Sequence, residues 1–304
     1  MSDAFAIAVR TPYDWPAIHA FLAGRAIPGI EAAPEGRYLR SVVLDDRPGR
    51  LAVEPDAGAA CTALTVTLSL AGSTAEAAAR LRRLFDAEAD PVVIGAHLSR
   101  DALLAELVAA RPGLRVPGAW DGFEMAVRAI LGQQVSVSAA TRLAGRLVAA
   151  FGTQLPPHLA GPDGITHLFP APERLAEADI ASALGMPGAR AGAIRSLAQA
   201  LCDTPDLLDP GRGLAEAVAR LKALKGIGEW TAQYIAMRAL READAMPAGD
   251  IGLLRALDRG DGRPTPGGLL ARSAAWSPWR AYAALHLWAH DSDRQAAIAG
   301  QGAG

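Results

Sequence analysis

Cysteine is almost missing from this chain, which carries only Cys61 and Cys202. Two thiols cannot build a structural zinc site or a four-cysteine iron–sulfur cluster. They lie far apart in sequence and match no redox motif, so they read as two reduced thiols. Long apolar runs are missing too. No stretch of about 18 apolar residues offers a membrane span, and the opening MSDAFAIAVRTPYDW has no apolar core behind a basic start, as a secretory signal would. A cytoplasmic protein with no membrane partner is expected. The third absence is an excess of positive charge. The formal net charge is −2, whereas nucleic-acid binders usually carry a basic face. Whole-chain charge does not report local patches, so a nucleic-acid partner would have to be held by a local cluster and by backbone amides. The six histidines show no metal-ligand spacing, and no GxSxG, P-loop or dinucleotide fingerprint is present.

What is present is apolar and helix-forming. The 304 residues, 51% of them hydrophobic, allow two or three domains with a sizeable core. Residues 1–89 read as mixed α and β. A short helix is expected over Tyr13–Ala23, and strands over Tyr38–Leu44, Arg50–Glu54 and Ala63–Leu70, with a turn at Asp46–Gly49. The last strand alternates well, with Leu64, Val66, Leu68 and Leu70 on one face and Thr65, Thr67 and Ser69 on the other. Ser73-Thr74-Ala75-Glu76 reads as a capping box opening a helix to about Phe85. Strands followed by a helix predict an antiparallel sheet with helices packed on it. From residue 90 to 304 strand signals almost vanish. Helical periodicity is seen at Ser99–Ala110, Gly122–Leu131, Ser136–Ala150, Pro172–Ala176, Ile180–Leu184, Pro187–Leu201, Leu214–Ala223, Glu229–Ala239, Ile251–Leu257, Leu269–Ser273 and Trp279–Ala289. The expected class is therefore α+β: an N-terminal antiparallel β-sheet domain with helices, followed by an all-α region. The tail Ala296–Gly304 is expected to fray.

One segment carries most of the information. Leu221–Leu240 reads LKALKGIGEWTAQYIAMRAL. A helix ends near Leu224, Lys225-Gly226-Ile227-Gly228 makes a tight turn, and a second helix starts at about Glu229. Glycine permits positive φ and close backbone approach. The free N–H groups at the second helix's start make an anion site suited to a phosphate. On local pattern alone, a plain helical hairpin with a glycine cap explains the turn equally well. Next comes Met246-Pro247-Ala248-Gly249-Asp250, a Pro/Gly loop running into a helix at Ile251. Asp250 reads as an N-cap. A carboxylate so placed is stabilised in its charged form by the helix dipole and N–H donors, which also suits a group that must stabilise a cationic sugar.

A Leu-x-Gly-Ile-Gly hairpin, a Gly/Pro loop and an aspartate about twenty residues on resemble the helix-hairpin-helix glycosylase superfamily, and most of all the 3-methyladenine DNA glycosylase II type. Further matches extend across most of the chain: Pro12-Tyr13-Asp14-Trp15, Arg83-Leu84-Phe85-Asp86, Ala109–Arg115, Ala129-Ile130-Leu131-Gly132-Gln133-Gln134-Val135-Ser136, Leu184-Gly185-Met186-Pro187 and Trp279–Trp288. The resemblance implies an N-terminal sheet domain and two helical domains flanking a cleft. It also implies a base flipped out of duplex DNA and Asp250 as the catalytic carboxylate stabilising an oxocarbenium-like sugar or orienting a water.

Alkylated purines such as N3-methyladenine already carry positive charge and are attracted to aromatic faces. Trp288 and Tyr234 match the family's pocket aromatics, with Trp230 beside them. Trp276, Trp279 and Tyr282 are expected in the core, and His286 as a satisfied structural residue. Related bifunctional enzymes carry a Schiff-base lysine where this chain has Trp230, so excision without strand cleavage is expected. Lys222 and Lys225 should face DNA. Phosphate binding would fall to the amides of Gly226 and Gly228, with the Thr231 hydroxyl. Gln133 and Gln134 match the loop that fills the gap left by the flipped base, a place often apolar in relatives. No cofactor is required. The resemblance does imply a Na+ or K+ ion on the backbone carbonyls of Lys222, Leu224 and Ile227 when DNA is bound. Arg128, Arg142 and Arg146 offer further DNA contacts, but helix-surface arginines are more often ordinary solvated residues. A monomer acting on alkylated double-stranded DNA is expected; the competing class is a helix-hairpin-helix DNA-binding protein without catalysis.

Overall fold

The computed structural model describes residues 2–58, 60–258, 260 and 262–301. Strand β1 (Asp3–Ala8) and helix α1 (Trp15–Ala23) are followed by β2 (Glu31–Ala32), β3 (Tyr38–Leu44), β4 (Arg47–Pro55), β5 (Ala63–Leu68) and α2 (Thr74–Leu84). The five strands form one antiparallel sheet in the order β1-β5-β4-β3-β2. The alternation read in β5 is real, since Leu64, Val66 and Leu68 are fully buried and Thr65 and Thr67 are exposed. They pack with Ile7, Val53 and Tyr38 under Ile18 and Leu22 of α1 and Leu81 of α2.

Two local expectations in this half are corrected. The turn between β3 and β4 is Asp45-Asp46, both at positive φ, and Arg47–Gly49 belong to the strand. Pro48 is tolerated there because β4 pairs with β5 only from Leu51 onward, so no ladder donor is missed on that side. Helix α2 does start after Ser73, but without a side-chain cap. The Ser73 hydroxyl donates to Asp45 at 2.7 Å and accepts from Arg47 at 2.8 Å. Strands β1 and β2 escaped the sequence reading.

The second half is helical. It comprises α3 (Pro91–Leu98), α4 (Ala102–Ala110), α5 (Gly122–Leu131), α6 (Val137–Phe151), α7 (Pro172–Ala176), α8 (Ile180–Leu184), α9 (Gly188–Asp203), α10 (Leu214–Lys222), α11 (Glu229–Arg238), α12 (Ile251–Ala256), α13 (Pro266–Ser273) and α14 (Arg280–Gln301). A two-residue strand pair, β6 (Thr153–Gln154) with β7 (His167–Leu168), interrupts it. The expected helix start at Ser99 is moved, because Asp90 caps α3 and Asp101 caps α4, each carboxylate accepting two amides. The last helix does not fray at Ala296 but continues to Gln301; residues 302–304 lie outside the described part. Helix α5 is buried along nearly its whole length and forms the axis of the helical core.

The two halves are joined by buried charge rather than by a bare linker. Glu31 of β2 and Arg40 of β3 meet Glu124 and Arg128 of α5. Arg40 reaches Glu124 at 2.6 Å and Glu31 at 3.8 Å; Arg128 reaches Glu124 at 2.7 Å and also pairs with Glu31. Burial raises the Glu31 carboxyl, but Arg128 and Arg40 outweigh it and hold it below its ordinary value. Arg128 is thus ion-paired and only partly exposed, rather than the ordinary solvated arginine expected. A second junction centres on Asp86, which accepts from Tyr282 of α14 at 2.9 Å, from the Val116 amide at 3.2 Å and from Arg241. Ile27 and Ile30 pack into the helical core, and Trp120 into the sheet core, so the halves interlock. No helix among the described residues is long and apolar enough to cross a membrane.

Candidate active site

A cleft of about 1470 Å3 opens between the two halves. Its walls come from α1 (Phe21, Arg25), from α5 and the loop after it, from the α10–α11 turn with α11, and from Asp250 and Trp288. These segments are far apart in sequence and are brought together by the junctions just described.

Asp250 caps α12. Its Oδ1 accepts from the amides of Gly252 at 2.8 Å and Leu253 at 3.2 Å, as an N-cap should. The same oxygen accepts from the indole Nε1 of Trp288 at 2.8 Å, and Oδ2 accepts from the indole Nε1 of Trp230 at 3.1 Å. Four neutral donors therefore fix one carboxylate. The other carboxylates lining the cleft are ion-paired: Glu31 and Glu124 with Arg40 and Arg128, Asp291 with Arg255 at 2.6 Å, and Glu229 with Lys222 at 2.6 Å. Among the described residues, Asp250 is the one cleft carboxylate with no cationic partner within salt-bridge distance. No guanidinium or ammonium group stands between it and whatever enters.

The aromatic side chains surround it. Trp230 and Tyr234 stack with centroids 5.2 Å apart and 11° between planes, and Trp288 meets Tyr234 edge-on at 6.1 Å. All three are half-buried. The sequence reading named them as platforms but missed that two of them hold Asp250, since nothing in a sequence reports where an indole N–H points. It also missed the cations behind them. Arg238 donates to the Tyr234 hydroxyl at 2.8 Å and to the Gly118 carbonyl at 3.2 Å, and burial pushes its guanidinium down to about 10. Burial raises the Tyr234 phenol, but Arg238 and Arg25 outweigh it and bring it below its ordinary value. Arg25 lies over the Phe21 ring, 3.7 Å from its centroid. No local motif marks Phe21 or Arg25, which reach the cleft only because α1 is docked there.

The hairpin turn has Gly226 at φ +87°. A Cβ there would stand 2.5 Å from Ala193 of α9, so both conformation and packing demand glycine. Gly228, by contrast, has an ordinary φ of −92° and caps α11 without any side chain, which leaves the first amides of that helix free. Thr231 is buried, and its hydroxyl accepts from the Gln133 amide at 3.0 Å. Gln133 also donates to the Gly226 carbonyl at 3.0 Å, so its side chain faces the hairpin, while Gln134 is exposed with φ +56°. The Leu224 carbonyl accepts from the Ile227 amide at 3.2 Å. Lys222 pairs with Glu229 rather than standing free, and Lys225 is exposed. Arg142 and Arg146 are exposed on α6. Trp276 and Tyr282 are buried as expected and Trp279 is half-buried. His286 is buried, but its Nδ1 has no hydrogen-bond partner, which corrects the expectation of a satisfied residue.

Comparison with known proteins identifies the family. Residues 4–121 match the AlkA N-terminal domain, and residues 127–281 match the HhH-GPD superfamily base excision DNA repair protein family. DNA-3-methyladenine glycosylase 2 of Escherichia coli K12 is 38% identical over 282 residues, covering 92% of this chain and 94% of that protein. A probable bifunctional transcriptional activator/DNA repair enzyme AlkA of Mycobacterium tuberculosis H37Rv is 40% identical over 282 residues, and the chain spans 55% of its length. The solved 3-methyladenine DNA-glycosylase from Archaeoglobus fulgidus shares the fold, with a TM-score of 0.82 at 22% identity over 95% of this chain and 98% of that one. The chain belongs to the HhH-GPD superfamily of base excision DNA repair proteins, with an AlkA-type N-terminal domain ahead of the helix-hairpin-helix unit.

Proposed function

We propose that this protein is a monofunctional DNA glycosylase that excises alkylated purines, N3-methyladenine and N7-methylguanine, from double-stranded DNA as a monomer. The observation that carries the reading is Asp250, held by four neutral donors and by no cation, in a cleft walled by three aromatic rings. A purine alkylated at N3 or N7 departs as a neutral base, so the leaving group needs no proton. What the chemistry does need is a negative charge beside the sugar as it becomes cationic, in a preorganised place. Asp250 supplies it, as a stabilising charge or by orienting a water.

The aromatic faces of Tyr234, Trp230 and Trp288 receive the flipped base, a cation–π contact contributing about 0.5–2 kcal/mol. The α11 amides after Gly226 and Gly228 bind backbone phosphate, and Gln134 fills the vacated stack. The carbonyls of Lys222, Leu224 and Ile227 would hold a monovalent cation there. They are hard oxygen donors at the last residue of α10 and in the turn after it, where carbonyls lack intrahelical partners; the Leu224 oxygen, which accepts from the Ile227 amide, has a second lone pair to offer.

Strand cleavage by a Schiff base is not part of the proposal. The chain has two lysines, Lys222 and Lys225; neither lines the cleft, and the position after the turn is Trp230. The test is incubation with duplex DNA bearing N3-methyladenine and N7-methylguanine. Base release with nicks appearing only after alkali is expected, and borohydride should trap no covalent complex. A trapped complex would overturn the monofunctional part. Tight duplex binding without base release would favour a purely binding protein.

A further inference from the structure

The loop between α5 and α6 presents Gln134 at φ +56°, a region that L side chains other than Asn and Asp seldom adopt. Such a conformation persists only when its surroundings impose it. Gln134 does not hold itself, because neither its backbone nor its side chain makes a hydrogen bond within the described protein. The constraint comes from its neighbours. On the far side, Ser136 caps α6 by accepting from the Ala139 amide at 3.2 Å. On the near side, both Nε2 protons of Gln133 are engaged across the cleft, one by the Gly226 carbonyl and one by the Thr231 hydroxyl, each at 3.0 Å. The Gln133 carbonyl is in turn held by Arg190 of α9 at 2.7 Å. Gly226 leans on the same helix through Ala193. Three elements thus converge on one glutamine, the hairpin turn, α11 and α9, and the first two are proposed to touch DNA.

The geometry points to Gln133 as a positioning residue: it straps the Gln134 loop to the hairpin turn, so that engagement of a phosphate at the hairpin fixes the residue that enters the base stack. Gln133 contacts neither the phosphate nor the base in this scheme; it acts through Gln134. The inference rests on the glycosylase reading for its catalytic consequence, but the coupling itself is a property of the fold. It predicts that the hairpin and the loop respond to DNA together, although 93 residues separate Gln133 from Gly226.

Gln133→Met keeps the length of the side chain and removes both donors. Thr231→Val serves as the second variant: its hydroxyl is buried against Gln133 rather than turned to a phosphate as the sequence suggested, so the change removes one acceptor from the strap and leaves the hairpin amides in place. The first measurement is amide hydrogen exchange with and without an undamaged duplex. In the wild type, protection should rise at residues 225–231 and 132–136 together. In the variants the hairpin should keep its protection and the loop should lose it. The second measurement compares release of N7-methylguanine from a paired site with release from the same lesion opposite an abasic-site analogue, where extrusion costs little. The ratio of paired to unpaired rates should fall by about tenfold, the scale of one or two lost hydrogen bonds. A merely structural role would lower both rates together and leave the ratio unchanged. Loop protection unaltered in both variants, or an unaltered ratio, overturns the strap. If the wild type releases no base from either substrate, the glycosylase reading fails while the exchange experiment still decides the coupling.

Discussion

Asp250→Asn separates the two tasks of this residue, because asparagine caps a helix about as well as aspartate. Three donors meet Oδ1 and one meets Oδ2. An asparagine oxygen placed at Oδ1 keeps the two α12 amides and the Trp288 indole. Its NH2 group then faces the Trp230 N–H, donor against donor, and that one hydrogen bond is lost. The site is half-buried, so the stability cost should be about 1 kcal/mol. The catalytic cost is of another size. A full charge about 4 Å from a cationic sugar, at an effective dielectric constant of about 20, contributes about 4 kcal/mol, which corresponds to a rate loss of about a thousandfold. Chemical denaturation and single-turnover base release, run on the same preparations, measure the two quantities side by side. A variant retaining within about tenfold of the wild-type rate would refute the electrostatic role. A variant that loses several kcal/mol of stability would show that the two indoles hold Asp250 chiefly for the fold.

Glu124→Ala should destabilise the protein by about 3–5 kcal/mol, because it leaves Arg40 and Arg128 in a buried place with half their counter-charge removed. Urea unfolding checks this, and a loss under 1 kcal/mol would mean that water reaches the junction. Burial pushes the His286 imidazole down to about 4, with Arg111 adding to the effect. Since the folded value lies below the unfolded one, about 6.5, the neutral ring's contribution is complete above pH 6.5 and is lost as pH falls towards 4. That is about 3 kcal/mol over the window. His286→Phe should flatten the stability curve between those values; parallel curves for variant and wild type would exclude His286 as the group responsible.

Legibility followed the range of the interactions. The alternation of β5 and the bounds of α5, α7 and α8 are local, and they were read to the residue or nearly so. The hairpin and the Asp250 cap are local as well, since a turn and an N-cap are decided by a handful of adjacent residues. What was lost was decided at a distance. Arg128 looks like a surface residue on its own helix, and only Glu31, nearly a hundred positions earlier, draws it into a partly buried ion pair. Ser73-Thr74-Ala75-Glu76 has the pattern of a capping box, but Asp45 and Arg47 compete for the hydroxyl and win it. Strand β1 has little to announce it, since alanine occupies three of its six positions. In the cleft, residue types could be named in advance, whereas the direction of two indole N–H bonds and the arrival of α1 could not.

The stacked pair of Trp230 and Tyr234 has a consequence for selectivity. Their rings already lie face to face, so no gallery stands open between them for a guest to slide into. A visiting purine must be accepted on the outside of a finished wall, whose two ends are pinned, one by a carboxylate and the other by a guanidinium. Such a wall does not mould itself to its visitor. It grades lesions by charge and by the flatness they offer, and it should tolerate variety in where a methyl group sits.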